Sequence, residues 1–388
     1  MAESTVIVVG GGASGLSAAA ALTRRGIDAV VLEQDREIGG TWARRYDRLR
    51  LHTVRGFSGL AHFPVPHRYP TYLSRDDFVA YLKDYARHFK LRVVTSTTVT
   101  RIQPRRVSRT EWTVETRSPV SLETWQGQVV VIATGQYRTP ILPPWPGHDD
   151  YLGRLMHSAR YSNATSYAGQ RVLVVGVGNS GAEIATDLSD HGAAYVAVSV
   201  RTPPPIVPRD PFGMPVQRTS IFLSELPPSI ANRIGWATAR ITLGDLTRYG
   251  MPKGDFAPYT TRRVPLIDVG FVDALKQGRV TIRPALVGLT QSGAVFADGT
   301  SEPFDAIIAA TGFSTGLESI IDVPGVLDAA GEPRATSGES TAHPGLYFIG
   351  FTHSLRGHLF EANLASRRLA RNVAHYLTPQ RSSSKLPA

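Results

Sequence analysis

The stretch Thr5-Val6-Ile7-Val8-Val9-Gly10-Gly11-Gly12-Ala13-Ser14-Gly15 decides how the chain is read. A β-branched run empties straight into glycines, and an alanine-rich helical pattern continues to Arg25, which predicts strand, tight turn and helix. Gly10 permits the turn, Gly12 lets backbone amides approach a pyrophosphate, and Gly15 lets helix and strand pack closely. The helical pattern Leu16 to Arg25 faces its N-terminus toward the phosphates, with Ala13 and Ser14 in the turn before it. The next strand, Ala29 to Leu32, ends in Glu33-Gln34, with Glu33 18 residues after Gly15. A carboxylate there accepts hydrogen bonds from ribose hydroxyls, so the unit reads as a dinucleotide site for an unphosphorylated adenosine ribose.

The same unit returns. Arg171 to Val175 is followed by Gly176-Val177-Gly178-Asn179-Ser180-Gly181 and a second helical pattern. Ser199 stands 18 residues after Gly181, where the first unit carries its acid. Ser199 with Arg201 and Thr202 suits a ribose bearing a 2′-phosphate, which a carboxylate would repel, so the second site is expected to take NADPH. Each unit also closes alike, in Ile132-Ala133-Thr134-Gly135 and in Ala309-Ala310-Thr311-Gly312. Pro140, Pro143, Pro144, Pro146 and Gly147 form a stiff connector. The expected fold is α/β with two Rossmann-type dinucleotide-binding domains. An NADPH domain, about 151–315, is inserted into a discontinuous FAD domain made of 1–150 and 316–388. Residues of about 203–268 carry neither half of the repeat and are expected to cover the substrate.

Length and composition agree with that plan: 388 residues, 42% hydrophobic and 19% charged, describe a globular chain of two or three domains. Zero cysteines exclude disulfides, thiolate metal sites, iron–sulfur clusters and any cysteine redox relay; no metal site is expected. The net charge of +10 could serve nucleic acid, an anionic membrane or phosphorylated small molecules. The basic residues are scattered, the densest groups being pairs such as Arg24-Arg25, Arg44-Arg45 and Arg262-Arg263, so nucleic acid is not an expected partner. The apolar start is interrupted by glycines and preceded by Glu3, and no 18-residue uninterrupted apolar stretch exists, which gives a cytoplasmic expectation. The tripeptide Ser384-Lys385-Leu386 is internal and is not read as a peroxisomal address.

Between the two glycine units stands Tyr151-Leu152-Gly153-Arg154-Leu155-Met156-His157-Ser158-Ala159-Arg160-Tyr161. It resembles the fingerprint Phe-x-Gly-x-x-x-His-x-x-x-Phe/Tyr of the flavin-containing monooxygenases, with Tyr151 in place of the opening Phe. Gly39-Gly40-Thr41-Trp42, Tyr46-Asp47-Arg48-Leu49-Arg50-Leu51-His52, Tyr69-Pro70-Thr71-Tyr72 and residues 243–250 extend the resemblance over nearly the whole chain, most closely to the YUCCA-like branch. Related Baeyer–Villiger enzymes close the fingerprint with Trp, whereas this chain has Tyr161.

The resemblance implies FAD flanked by Gly40, Thr41, Trp42, Leu51, His52, Thr53 and Gly350, with His52 as a catalytic residue beside the reactive flavin edge. Plain packing at a strand end is the competing reading of His52, and core packing that of Trp42. His157 is assigned to the domain junction. Residues 359–376 have helical spacing, and the resemblance aims that helix's N-terminus at the flavin's pyrimidine oxygen. The implied reaction is NADPH-driven formation of a flavin C4a-hydroperoxide and insertion of one oxygen atom into an amine, a sulfide, or a 2-oxo acid or other carbonyl. Asp47 and Asp210 read as turn residues rather than bases. The partners are thus a small organic molecule and O2. Residues 230–243, with Arg233, Trp236 and Arg240, form too short a helix for membrane contact to be expected, and a homodimer stays possible. A flavin reductase of quinone or ferredoxin type, or a non-catalytic flavoprotein sensor, would share the architecture.

Overall fold

The computed structural model describes residues 2–105, 111–261 and 264–378; Arg262-Arg263 and Ser384-Lys385-Leu386 lie outside these. Strand Val6–Val9 is buried on both faces, as an unbroken β-branched run must be in a parallel sheet covered by helices. It is the middle of a five-stranded parallel sheet, in the order Leu346–Phe348, Val129–Ile132, Val6–Val9, Ala29–Leu32, Arg92–Val94. A second five-stranded parallel sheet runs Arg154–His157, Ala306–Ala309, Arg171–Val175, Tyr195–Ser199, Thr281–Arg283. The two are built alike: each glycine-turn strand lies between its unit's closing strand and the strand that carries Glu33 or Ser199. Register agrees too, with Val9 opposite Leu32 and Ile132, and Val175 opposite Ser199 and Ala309. The first sheet is completed by Leu346–Phe348, so all strands of the second fall between two of its strands in sequence.

Helix Ala13–Thr23 has no strongly polar face because Ala13 and Gly15 to Leu22 are buried. Its Ala18, Ala21 and Leu22 share a core with Ala365, Leu369 and Val373 of helix His358–Leu377, and the Ser366 hydroxyl donates to Ser17 Oγ at 2.8 Å inside that core. Helix Arg75–His88 starts at a reciprocal Ser74/Asp77 cap and turns Phe78, Tyr81 and Tyr85 inward. Trp42 packs edge-on against Phe78, ring centres 4.7 Å apart, which fixes the segment that walls the cleft below.

Two small sheets escape the sequence pattern: Ala2–Glu3, Leu122–Gly127, Trp112–Arg117 and Thr98–Pro104 form one, and Leu286–Thr290, Gly293–Phe296 and Ser301–Pro303 the other. In the 203–268 segment, Ile206–Pro208 pairs with Leu266–Asp268 and brackets helices Val216–Leu223 and Pro228–Leu243. Among the described residues no helix is long and apolar enough to cross a membrane.

Candidate active site

The two glycine turns have the same geometry. Gly10 and Gly176 take φ of +107° and +102°, and a Cβ on either would stand 2.6 Å from the carbonyl oxygen of Ala133 or Ala310. Gly12 and Gly178 start their helices at φ −76° and −74° with no side-chain cap, so the first-turn N–H groups have no partner from a capping residue. A Cβ on Gly12 or Gly178 would meet nothing within 4 Å, whereas one on Gly15 or Gly181 would meet the oxygen of Gly10 or Gly176 at 1.9 or 2.0 Å. Each turn is therefore closed beneath by its third glycine and open above its second, the shape a pyrophosphate needs.

Both turns open into one cleft of about 580 Å³. It gathers Gly10, Gly12, Ala13, Ser14, Glu33, Gln34, Gly40, Thr41, Trp42, Leu51, His52, Thr53, Thr134, Gly135 and Gly350 from the first half, and Gly178, Asn179, Ser180, Gly181 and Gly312 from the second. Gly350 is needed because a Cβ there would lie 2.4 Å from Ser14 Oγ. Glu33 accepts from the N–H groups of Gly11 at 2.6 Å and Asp35 at 2.8 Å. Burial nevertheless pushes its pKa up, against those two bonds. Thr53 shares a hydrogen bond with Ser58 at 2.8 Å.

Three side chains of the second unit are engaged elsewhere than expected. The Ser199 hydroxyl, 2% exposed, donates to Pro284 O and accepts from Leu286 N, so it ties its strand to the next segment and cannot face a 2′-phosphate. The Thr311 hydroxyl donates to Ile141 O, outside the cleft. Asn179 borders the cleft, while its side-chain amide donates to Pro265 O and accepts from Ile267 N. Arg201 and Thr202 are exposed, and no acid among the described residues pairs with Arg201.

The fingerprint residues are structural. His157 is buried, accepting from Ala159 N at Nδ1 and donating from Nε2 to Gly312 O at 3.0 Å. Burial lowers its pKa, and Arg45 lowers it further against the Gly312 bond, so the ring is neutral and pins the second closing turn. Tyr161 donates to Asp187 at 2.6 Å, and Tyr151 to Phe304 O at 2.8 Å. Asp47 and Asp210 are held by Arg75 with Asn163, and by Tyr72 with Arg209. His52 joins the two halves: its Nε2 lies 2.6 Å from Oε1 of Glu183, a 4% exposed residue on the helix that starts at the second glycine turn. Buried Tyr46 has its hydroxyl within hydrogen-bonding reach of Ser180 and Glu183.

Sequence reasoning missed Gln136, Tyr137, Arg45, Glu183 and His358. Gln136 is 7% exposed, and neither of its amide atoms has a partner within the protein, nor has the buried Thr134 hydroxyl; both residues border the cleft. Buried polar atoms are rarely left so. Only the position of Gln136 directly after Thr134-Gly135 could have signalled it.

A profile of the flavin-binding monooxygenase-like family matches residues 3–323. Indole-3-pyruvate monooxygenase YUCCA1 of Oryza sativa subsp. japonica is 35% identical over 370 residues, 89% of this chain and 86% of that protein. Indole-3-pyruvate monooxygenase YUCCA6 of Arabidopsis thaliana is 32% identical over 381 residues, 95% of this chain and 89% of that protein. Among solved structures, the flavin-containing monooxygenase from Stenotrophomonas maltophilia aligns with a TM-score of 0.74 at 25% identity, covering 97% of this chain and 99% of that one. An oxidized steroid monooxygenase bound to NADP shares the fold, with a TM-score of 0.76 at 18% identity over 97% of this chain and 86% of that one. With twin glycine turns facing one cleft and relatives alike along almost their whole length, the chain belongs to the flavin-binding monooxygenase-like family, on its YUCCA-like branch, and is an enzyme that puts one oxygen atom of O2 into a small molecule.

Proposed function

We propose that the first glycine turn holds the ADP half of FAD and the second that of NADPH, the two cofactors on which this monooxygenase depends. The observation that carries the reading is the matched pair of turns opening into one cleft lined by orphaned Thr134 and Gln136. In this reading residues 1–150 with 316–388 form the FAD domain, and 151–315 the NADPH domain. Backbone amides after Gly12 and Gly178 bind the pyrophosphates, and Glu33 accepts from the ribose of FAD. Arg201 and Thr202, rather than Ser199, take the 2′-phosphate.

Bound FAD, once reduced by NADPH, supplies the chemistry that activates dioxygen. His52 Nε2 and Glu183 Oε1 share a hydrogen bond of 2.6 Å, which fixes the imidazole across the junction of the two halves. The 203–268 segment shuts the adjoining loop: Gln217 accepts from Val54 N at 2.8 Å and donates to Arg356 O at 2.7 Å, closing the backbone next to Thr53 against water. The substrate is an amine, a sulfide, or a 2-oxo acid or other carbonyl. Two relatives named for indole-3-pyruvate, an aryl 2-oxo acid, support starting with the last class. The reading includes a cytoplasmic location, with one chain or a homodimer as the working unit.

The test is turnover under isotopically labelled dioxygen with a panel of these classes. One labelled oxygen in the product per NADPH consumed is expected. Fast NADPH-driven dye reduction with no labelled product from any substrate would replace the reading with a flavin reductase, and negligible flavin reduction by NADPH would favour a sensor.

A further inference from the structure

His52 stands in the wall between two cavities. On one side is the cleft of the glycine turns. On the other, a second cavity of about 460 Å³ lies between residues 47–50 and the face of helix Asn179–Asp190 that carries Glu183, Asp187 and Asp190. Among the described residues Leu49 and His52 border both cavities, and of the two only His52 can take up or release a proton. The second cavity meets solvent: the side chains of Asp47 and His191 on its rim are 52% and 62% exposed.

The charges around this second cavity are mostly locked in arginine pairs. Asp47 is held by Arg75 at 2.7 Å, and Asp190 by Arg279 at 2.6 Å and Arg48 at 3.2 Å. Asp187 accepts from Tyr161 at 2.6 Å and has His191 at 3.2 Å and Arg48 at 3.8 Å. Arg209 is tied to Asp210 at 2.9 Å, and Arg50 is exposed. Glu183 pairs with no arginine among the described residues; its ion-pair partner is His52 at 2.6 Å. A guanidinium keeps its proton at every pH a protein meets, whereas an imidazole exchanges one near neutrality. Tyr46 reaches Glu183 from the cleft side, and burial holds its pKa well above the ordinary 10, so it offers a hydrogen bond and keeps its proton.

The reaction needs a proton supply. Substrate, O2, NADPH and one H⁺ give oxygenated substrate, water and NADP⁺. NADPH is oxidised by loss of a hydride, the O–O bond breaks, one oxygen joins the substrate and the other leaves as water, so each turnover draws one proton from solvent. We propose that His52 carries this proton from the second cavity into the cleft, and that Glu183 is the positioning residue that holds the imidazole in the wall. The inference rests on the cleft holding both cofactors, as proposed above, and adds the route by which the cleft receives its proton.

The test has a resting arm and a turnover arm. Deuterium exchange at the imidazole C2 position of His52 is read by mass spectrometry in the flavin-free protein and in the protein saturated with FAD and NADP⁺. Exchange should persist when the cofactors fill the cleft, because water reaches the ring from the other side. Exchange that stops on cofactor binding would overturn the proposal. This arm uses the unaltered chain, so it holds even where a variant fails to fold. In the second arm, turnover under labelled dioxygen is compared in the parent, His52→Gln and Glu183→Gln proteins, with and without imidazole in the buffer. Glutamine at position 52 keeps an N–H for Glu183, so the tie between the halves survives while proton carriage does not. His52→Gln should lower kcat about a hundredfold, the lower end for a positioned acid–base group, with KM and flavin content unmoved and most of the loss restored by imidazole. Glu183→Gln should fall between it and the parent, with the same restoration. An unchanged kcat in His52→Gln, or a loss that imidazole leaves in place, would overturn the proposal and make the pair a structural tie. Failure of this inference alone leaves labelled-oxygen transfer intact in the parent; a parent that transfers none overturns the reading of the cleft with it.

Discussion

At the scale of single residues, the glycines separate into two kinds that the sequence writes identically. Gly15 is sealed against Gly10 O, so Gly15→Ala must push helix from strand, a loss of about 1–3 kcal/mol or more. Gly12 has open space above it and an ordinary φ of −76°, so Gly12→Ala should cost about 1 kcal/mol or less. Urea midpoints of the flavin-free proteins compare them; equal losses would contradict the geometry. A similar split divides the second unit. Arg201→Ala should weaken NADPH about ten- to a hundredfold and NADH little, through loss of a charge-assisted phosphate bond. Ser199→Ala should instead lower stability by about 1 kcal/mol with coenzyme preference unchanged, since its hydroxyl bridges Pro284 and Leu286. A shift in preference from Ser199→Ala would return the hydroxyl to the coenzyme.

At the scale of elements, the central parallel strands were legible because burial on both faces leaves an unbroken apolar run, and the turns because glycine is the residue their geometry accepts; the edge strands Arg92–Val94, Arg154–His157 and Thr281–Arg283, only partly buried, were not. Two helix limits were legible to within two residues, the expected 230–243 being Pro228–Leu243 and the expected 359–376 being His358–Leu377, whereas the helices after the glycine turns begin three residues before the apolar pattern does, at Ala13 and Asn179. Segments Thr98–Pro104, Trp112–Arg117 and Leu122–Gly127 were not, because their stability comes from cross-strand partners and from Trp112 donating to Pro344 O, contacts between residues far apart in sequence. Glu183 and Gln136 were equally hidden: a buried acid across a domain junction and an orphaned amide exist only once the chain is folded. The strand Arg154–His157 adds a pH dependence. The folded-state pKa of His157 lies below its ordinary value of 6.5, so on acidification the unfolded chain takes the proton first. Stability from this group is whole at neutral pH and is lost as pH falls below about 6.5. His157→Asn should be less stable at neutral pH yet show a shallower acid decline in urea midpoint. Part of the slope remains, because burial also lowers the pKa values of His62 and His358. An unchanged slope would remove His157 from the account.

At the scale of the whole molecule, two copies of one folding unit turn their open glycine turns toward a common cleft, and side chains from both halves tie them together around it. His52 with Glu183, Arg45 with Phe313, and Gln217 with Val54 and Arg356 each join parts distant in sequence. The cleft is thus made by the pairing of halves, which is why the sequence could name both turns and still leave unnamed the residues that face a substrate. Gly12→Val and Gly178→Val separate the labour of the two turns, read by flavin content and anaerobic bleaching with NADPH. The parent is expected to be yellow, with one flavin per chain that NADPH bleaches, the Gly12→Val protein folded but colourless, and the Gly178→Val protein yellow and not bleached by NADPH. A colourless Gly178→Val protein beside a Gly12→Val protein that keeps its flavin would contradict this division of labour.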